Sequence, residues 1–460
     1  MLSLHLYTKI IPGVNSIIPR TSIGQSFLNR HPIQNAVQSP LISSSLIIQQ
    51  KRTGTAKPKY KTPKEKQVKT LGFKQKKTKK ESSRDVEIAS TSSSGRGGEE
   101  FYKPAPDVIL NDMFPEVFTN ENVGKIYQIP KEVIPKFKVF KFPMSLSKEF
   151  ELFHNSSLVV RQSSVELIKL LEEASTLPST KNRHIISGPL GIGKSALLMQ
   201  AVNYAMCKPW IVIYIPHAVQ YVNSTSPYMK VESTGEFIQP TLTMSLLQQI
   251  KLVNEPYLRN INLRRGHQIH RHVIKDKNTS QLLEIGINDP HSAQEVFEIF
   301  LEEIGNNQEY PVLLAVDEIN AFYTDSKYFD VDDTLLEANR LSLPRTILEY
   351  FSGKKDFTYG AVIGALSQTF KPFISKPLEI ALGLTEASPW KPVSRTILQY
   401  TTGLQNFDVK GYSKDEAKAV IDYYYEMSIL PQPKEQLFVK QILATNGNPR
   451  KFYLACWKGL

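Results

Sequence analysis

The sequence predicts an α/β fold: a parallel sheet with helices on both faces, preceded by a basic tail and closed by a small helical unit. Three observations carry that prediction. Residues 188 to 195 read GPLGIGKS, the GxxxxGK[ST] pattern, set between a short apolar run at 184–186 and a helical stretch at 196–206. Residues 311 to 318 read PVLLAVDE, a continuous apolar run of the kind a doubly covered parallel strand needs, ending in two carboxylates. Around these, strand-like runs alternate with helical stretches, which favours parallel pairing through crossover helices.

The N-terminal part differs in kind from the rest. The 460 residues carry a net charge of +12, but residues 1–84 hold 17 Lys or Arg against two acids, so residues 85–460 carry −3. The basicity belongs to the tail. No acid precedes Glu65, and residues 1–50 are Ser-rich and punctuated by Lys9, Arg20 and Arg30, the composition of a mitochondrial transit peptide. Residues 51–140 read as a basic extended tail. Within it, residues 51–80 carry 13 basic residues and one acid, too little apolar surface to fold alone. Such a polycation is expected to sit on a phosphate backbone by counterion release. The Ser/Gly stretch 89–98 marks a flexible joint. Residues 101–140 are rich in Pro and aromatics and are expected to lie extended over another surface, with the folded part starting near Met144.

From there, residues 141–403 read as a phosphate-loop domain. A helix at 164–173 presents Val165, Leu167, Ile168, Leu170 and Leu171 on its apolar face. In the loop, Gly188, Pro189, Leu190, Gly191, Ile192 and Gly193 would turn tightly enough for successive N–H groups, through Lys194, Ser195 and Ala196, to converge on phosphate oxygens at the positive end of the next helix. Lys194 would reach the terminal phosphates and Ser195 would hold Mg²⁺. Further strands are expected at 210–215, 312–317, 361–367 and, most weakly, 406–412. At the end of the second of these, Asp317 would support the Mg²⁺ water shell, and Glu318 would orient or deprotonate water. The basic run LRRGHQIHRHVIK, with His267, His270 and His272, is expected to be a cationic surface, since no acid or Cys accompanies it at metal-ligand spacing.

Residues 404–460 read as a helical lid: Ser413 opens a helix with acids in its first turn, and the turn NGNPR at 446–450 brings Arg450 within reach of bound phosphates. Two cysteines without CxxC spacing fit a reducing compartment and argue against structural zinc. No apolar stretch approaches the length a membrane span needs.

One strand intervenes between the loop's helix and the acidic strand. That order resembles the P-loop NTPase class of AAA-like type, in which polar residues closing the strand at 361–367 sense the γ-phosphate, making Ser367 or Gln368 candidates. More specifically, SLVVRQSSVELIKLLE, GPLGIGKSALLMQAVNYA, WIVIYIPHAVQYVN, IQPTLTMSLLQQIKLVNE, VLLAVDEINAFY and GAVIGALSQTF, together with the terminal lid, resemble the death-associated protein three family across about residues 145 to 460. The resemblance implies a structural protein of the mitochondrial ribosome's small subunit, in the matrix, placed in the subunit's head near the subunit interface. It also implies contacts with small-subunit rRNA and other mitochondrial ribosomal proteins, and a bound purine nucleotide, GTP or GDP before ATP or ADP. Carried over, Gly188, Gly193, Lys194 and Ser195 would hold phosphates and Mg²⁺, and Asp317 would complete the metal shell. Nothing matches the NKxD element that reads guanine. The alternatives are an active AAA-like NTPase switch driven by Glu318, and a mitochondrial nucleic-acid motor.

Overall fold

Strand order fixes where a ligand can bind. The computed structural model describes residues 108–458 apart from 233, 389, 391, 392, 429 and 431–434. The transit-peptide reading and the basic run at 51–80 therefore lie outside the described residues. Five strands form the central sheet: β1 Arg183–Ser187, β2 Ile211–Ile215, β3 Val312–Asp317, β4 Gly360–Ala365 and β5 Gln405–Asp408. They lie in the order β5-β1-β4-β3-β2, every pair parallel. The first four are buried along their whole length, which is why β2, β3 and β4 read as nearly continuous apolar runs, while β1 buries the polar Arg183, His184 and Ser187 around its two isoleucines. β5 is short and mostly exposed, and its polar QNFD suits an edge. Chain order reverses around β1, so a crevice opens above its carboxyl end, the usual ligand position in such sheets.

The helices follow from the same layering. Before β1 come α1 Ile134–Phe140, α2 Met144–Phe153 and α3 Gln162–Ala174; α4 Lys194–Cys207 leads from β1 to β2. Between β2 and β3 lie α5 Pro240–Leu258, α6 Thr279–Asn288 and α7 Ala293–Gly305, with a hairpin of His267–Ile269 and His272–Ile274. Asn254 of α5 accepts from Val212 N–H and donates to Val212 C=O, both at 2.8 Å, satisfying the free edge of β2. After β3 comes α8 Ser342–Ser352, and after β4 the short α9 Lys376–Ala381 and α10 Arg395–Leu398. Successive strand residues face opposite ways. Gly364 meets Phe351 of α8, whereas Asp317, in register with neighbouring Ala365, turns to Ser195 of α4, so helices cover both faces.

β5 leads into α11 Lys414–Glu426, α12 Glu435–Thr445 and α13 Pro449–Lys458, which share a small core of their own including Ala417, Val420, Ile421, Phe452 and Cys456. Ser413 caps α11 in a capping box with Glu416, as its sequence predicts. Among the described residues no helix is long and apolar enough to cross a membrane.

One expectation is corrected. Residues 108–140 do not lie extended over the surface; they enter the core. Met113, Ile129, Val133, Phe137 and Phe140 are all buried, and Phe137 and Phe140 set their edges against Tyr214 of β2 at 6.4 and 6.0 Å. Ile126–Gln128 pairs antiparallel with Ser157–Val159. The prolines mislead because Pro135 lies in the first turn of α1, where no N–H is needed, and so starts a helix instead of preventing one.

Candidate functional site

β1 delivers the chain into the crevice as a tight loop. Gly188, Gly191 and Gly193 all have positive φ. At Gly193, φ 100° directly before α4 makes a side chain costly by conformation alone. At Gly191 packing adds to φ 80°, because a Cβ there would come within 2.6 Å of Arg450 Cβ. The amides left unpaired at the start of the 14-residue α4 carry a partial positive charge that favours an anion. Lys194 is buried and folds back on the loop, donating to Gly188 C=O at 2.8 Å and Pro189 C=O at 2.9 Å. Burial pushes its ammonium down to about 8, against the pull of Asp317.

Asp317 ends β3 and is 3% exposed. Its carboxylate accepts from the Ser195 hydroxyl and, at 2.9 Å, from Glu318 N–H. Burial nevertheless pushes it up to about 6, although those hydrogen bonds and Lys194 act in the opposite direction. A hydroxyl and a carboxylate side by side at the head of α4 are hard oxygen donors suited to Mg²⁺, which keeps several waters of its own. Ser195 and Asp317 would hold that ion, and Lys194 would exchange loop carbonyls for phosphate oxygens. Glu318 adopts left-handed backbone, φ 61°, and its carboxylate accepts from Val219 N–H at 3.4 Å; burial first and then the charge of Asp317 raise it to about 8. Tyr214 faces both acids, and its fully buried hydroxyl has no hydrogen-bond partner among the described residues.

Beside the loop lies a cavity of about 340 Å³ whose lining includes Gly188, Pro189, Asn320, Ser367, Gln368 and Asp408. Ser367 lies two residues past the end of β4 and is held by a residue that sequence reasoning missed. Asn320 donates to Ser367 C=O at 3.0 Å and to Phe373 C=O at 2.6 Å, and accepts from Ser367 N–H at 2.7 Å. Its position three residues after Asp317 was the available signal.

The back of the loop is gripped by other elements. Leu190 C=O accepts from Asn448 Nδ2 at 3.0 Å, Gly191 C=O from Arg450 N–H at 3.1 Å, and Ile192 C=O from Arg161 Nη1 at 3.0 Å. Arg161 also donates to Lys410 C=O at 2.6 Å, pairs with buried Glu416 at 3.3 Å and lies over the Tyr412 ring at 4.9 Å. Arg450 thus meets the loop through its main chain, while its guanidinium acts on Glu149, where it opposes a burial-driven rise. Arg161 and Asn448 carried no sequence signal beyond a place before a helix and a place in the NGNPR turn.

The three histidines part company. His267 is buried and bonded to Glu303 of α7 at 2.8 Å, so it is no surface cation; the acid comes from a helix distant in sequence, which spacing could not reveal. His270 and His272 are exposed, and among the described residues no group of three or more His, Cys, Asp or Glu is arranged to hold a metal.

Comparison with known proteins places these features in a family. The profile described as "Mitochondrial ribosomal death-associated protein 3" matches residues 158–455, well over half the chain. The chain is 28% identical over 350 residues to the Schizosaccharomyces pombe protein named small ribosomal subunit protein mS29, covering 74% of this chain and 72% of that one. Identity to the Neurospora crassa protein of the same name is 25% over 346 residues, 71% and 73% of the two chains. For the Mus musculus protein it is 22% over 361 residues, 75% and 88%.

Proposed function

The chain belongs to the mitochondrial ribosomal death-associated protein 3 family, and on that premise we propose that it is a structural component of the small subunit of the mitochondrial ribosome, working in the matrix among rRNA and other ribosomal proteins. Its P-loop site holds a purine nucleotide with Mg²⁺, GTP or GDP before ATP or ADP, as an element of the fold. The observation that supports the nucleotide most directly is the Ser195 hydroxyl on the Asp317 carboxylate at the head of α4, with Lys194 alongside. Bound there, the ion would neutralise phosphate charge; the chain supplies amides, the lysine and a rigid frame.

A structural role is favoured over an NTPase switch by the grip on the loop. Three successive carbonyls, at 190, 191 and 192, are taken by Asn448, Arg450 and Arg161, so the C-terminal helices are tied to the loop by its own backbone. A ligand occupying the site at 100 times its dissociation constant contributes ~2.7 kcal/mol. The test is Lys194→Ala in the purified chain, with nucleotide released by heat and identified by chromatography. Purine is expected in the wild type and absent from the variant, whose melting temperature falls by about 5–10 °C. Equal nucleotide content in the two would remove the assigned site. Phosphate release no faster with wild type than with Glu318→Gln is the expected outcome for a non-hydrolysing site; a clear difference would restore the switch.

A further inference from the structure

Away from the nucleotide site, the hairpin between α5 and α6 is a basic projection mounted on a buried acid. Residues 264–277 carry five Lys or Arg against Asp276 alone. The root is fixed: Ile269 and Ile274 are fully buried, His267 bonds Glu303 at 2.8 Å, and Arg264 N–H donates to the second Glu303 oxygen at 3.0 Å. Above that root, His270, Arg271, His272 and Lys275 are exposed.

The tip is built with strain. Ile269 pairs with His272, leaving His270 and Arg271 as a two-residue turn with His270 at φ 46°, and Asp276 at φ 52° follows. Left-handed backbone at non-glycine residues is costly, and such strain gathers where geometry serves a ligand. A cleft of about 550 Å³ lies beside the turn, lined by His270, Arg271, His272, Asp289 and His291, with the His270 and His291 rings nearly parallel at 6.3 Å. The carboxylate in this lining is already engaged. Asp289 accepts from the Ser292 hydroxyl at 2.6 Å and from His291 N–H at 3.0 Å, and lies 3.6 Å from His272 Nε2. At the root, Arg265 meets Glu302 at 3.0 Å with both side chains more than half exposed, a pair that holds weakly.

We propose that this hairpin is a contact for the phosphate backbone of RNA, with Arg271 and Lys275 on adjacent phosphates and the paired imidazoles at the cleft mouth. The assignment rests on the ribosomal reading above and adds the surface through which that reading acts. RNA fits better than an acidic protein because the exposed groups are planar donors and cations. Guanidinium and imidazole planes stack on unpaired bases as well as meeting phosphates, a use an acidic peptide does not make of them.

The experiment titrates the purified full chain with a small-subunit rRNA fragment containing a duplex and a single-stranded flank, across a salt series. The Arg271→Glu/Lys275→Glu variant is expected to bind about tenfold or more weakly, with the slope of log affinity against log salt falling by about two. Its melting temperature should not move, because both residues are exposed, and ultraviolet crosslinks to residues 264–277 should disappear. Arg271→Lys should retain most of the affinity. Unchanged affinity and slope in the double variant would overturn the proposal, as would a greater loss of binding to polyglutamate than to RNA. Sedimentation of the wild type with mitochondrial small subunits tests the parent reading separately. If wild type fails to sediment while RNA affinity still depends on Arg271 and Lys275, the ribosomal role falls and the hairpin assignment stands.

Discussion

Asp317 shows most sharply how one side chain is held between burial and its polar neighbours. Its folded pKa of about 6 lies above the ordinary 3.8, and that of Glu318, about 8, above the ordinary 4.5. Over those intervals the folded state binds more protons than the unfolded one, so these groups favour folding most at low pH and lose that contribution as pH rises through 6 and then 8. A magnesium ion would take the place of the proton on Asp317. In nucleotide-free protein treated with chelator, Asp317→Asn/Glu318→Gln is therefore expected to gain stability relative to wild type between pH 5 and 8, by about 1–3 kcal/mol. Denaturant unfolding at several pH values checks this, and a constant gap between the two proteins would contradict it. That Lys194, Ser195 and Asp317 would meet was legible because the GxxxxGK[ST] pattern and an apolar run closing on two acids lead them to the carboxyl ends of parallel strands. Asn320, Arg161 and Asn448 were not, because an amide or guanidinium acquires its task only when the fold chooses which carbonyl to set beside it.

At the scale of elements, the grip of α13 and the segment before α3 on the glycine-rich loop is the arrangement that holds the candidate site in shape. Arg161→Ala would leave Glu416 buried without its cation and is expected to cost about 3–5 kcal/mol, enough to unfold a marginal protein. Asn448→Ala removes the donor to Leu190 C=O and the acceptor of Lys451 N–H at the start of α13, a loss of about 1–3 kcal/mol, and is the milder change. Amide hydrogen exchange at residues 188–194 should accelerate in Asn448→Ala and bound nucleotide should leave faster; protection identical to wild type would show that the lid does not steady the loop. The four buried strands and Ser413-capped α11 were readable from periodicity and capping residues. α1 was not, since its proline reads as a breaker until its place in the first turn is known. β5 was faint because an edge strand needs no apolar run.

For the whole molecule, charge and fold are divided along the chain. The basic residues concentrate before residue 84, while the body is close to neutral, and the hairpin at 264–277 is its local exception. Deleting residues 51–80 is expected to weaken rRNA association and flatten its salt dependence, leaving the melting temperature of the body unchanged. An unaltered slope would show that the tail is no anchor. The parallel sheet with helices on both faces was legible at this scale because strand-like runs alternate with helical stretches, whereas the point at which folding begins was placed some thirty residues late. That point matters for truncation. Asn203 of α4 donates to Met113 C=O at 2.7 Å, and Met113 N–H in turn bonds Gln128 C=O at 2.7 Å. A chain shortened past Met113 would lose a wedge from beneath the very helix that begins with Lys194, so truncation from the N-terminal side has a limit written into the core.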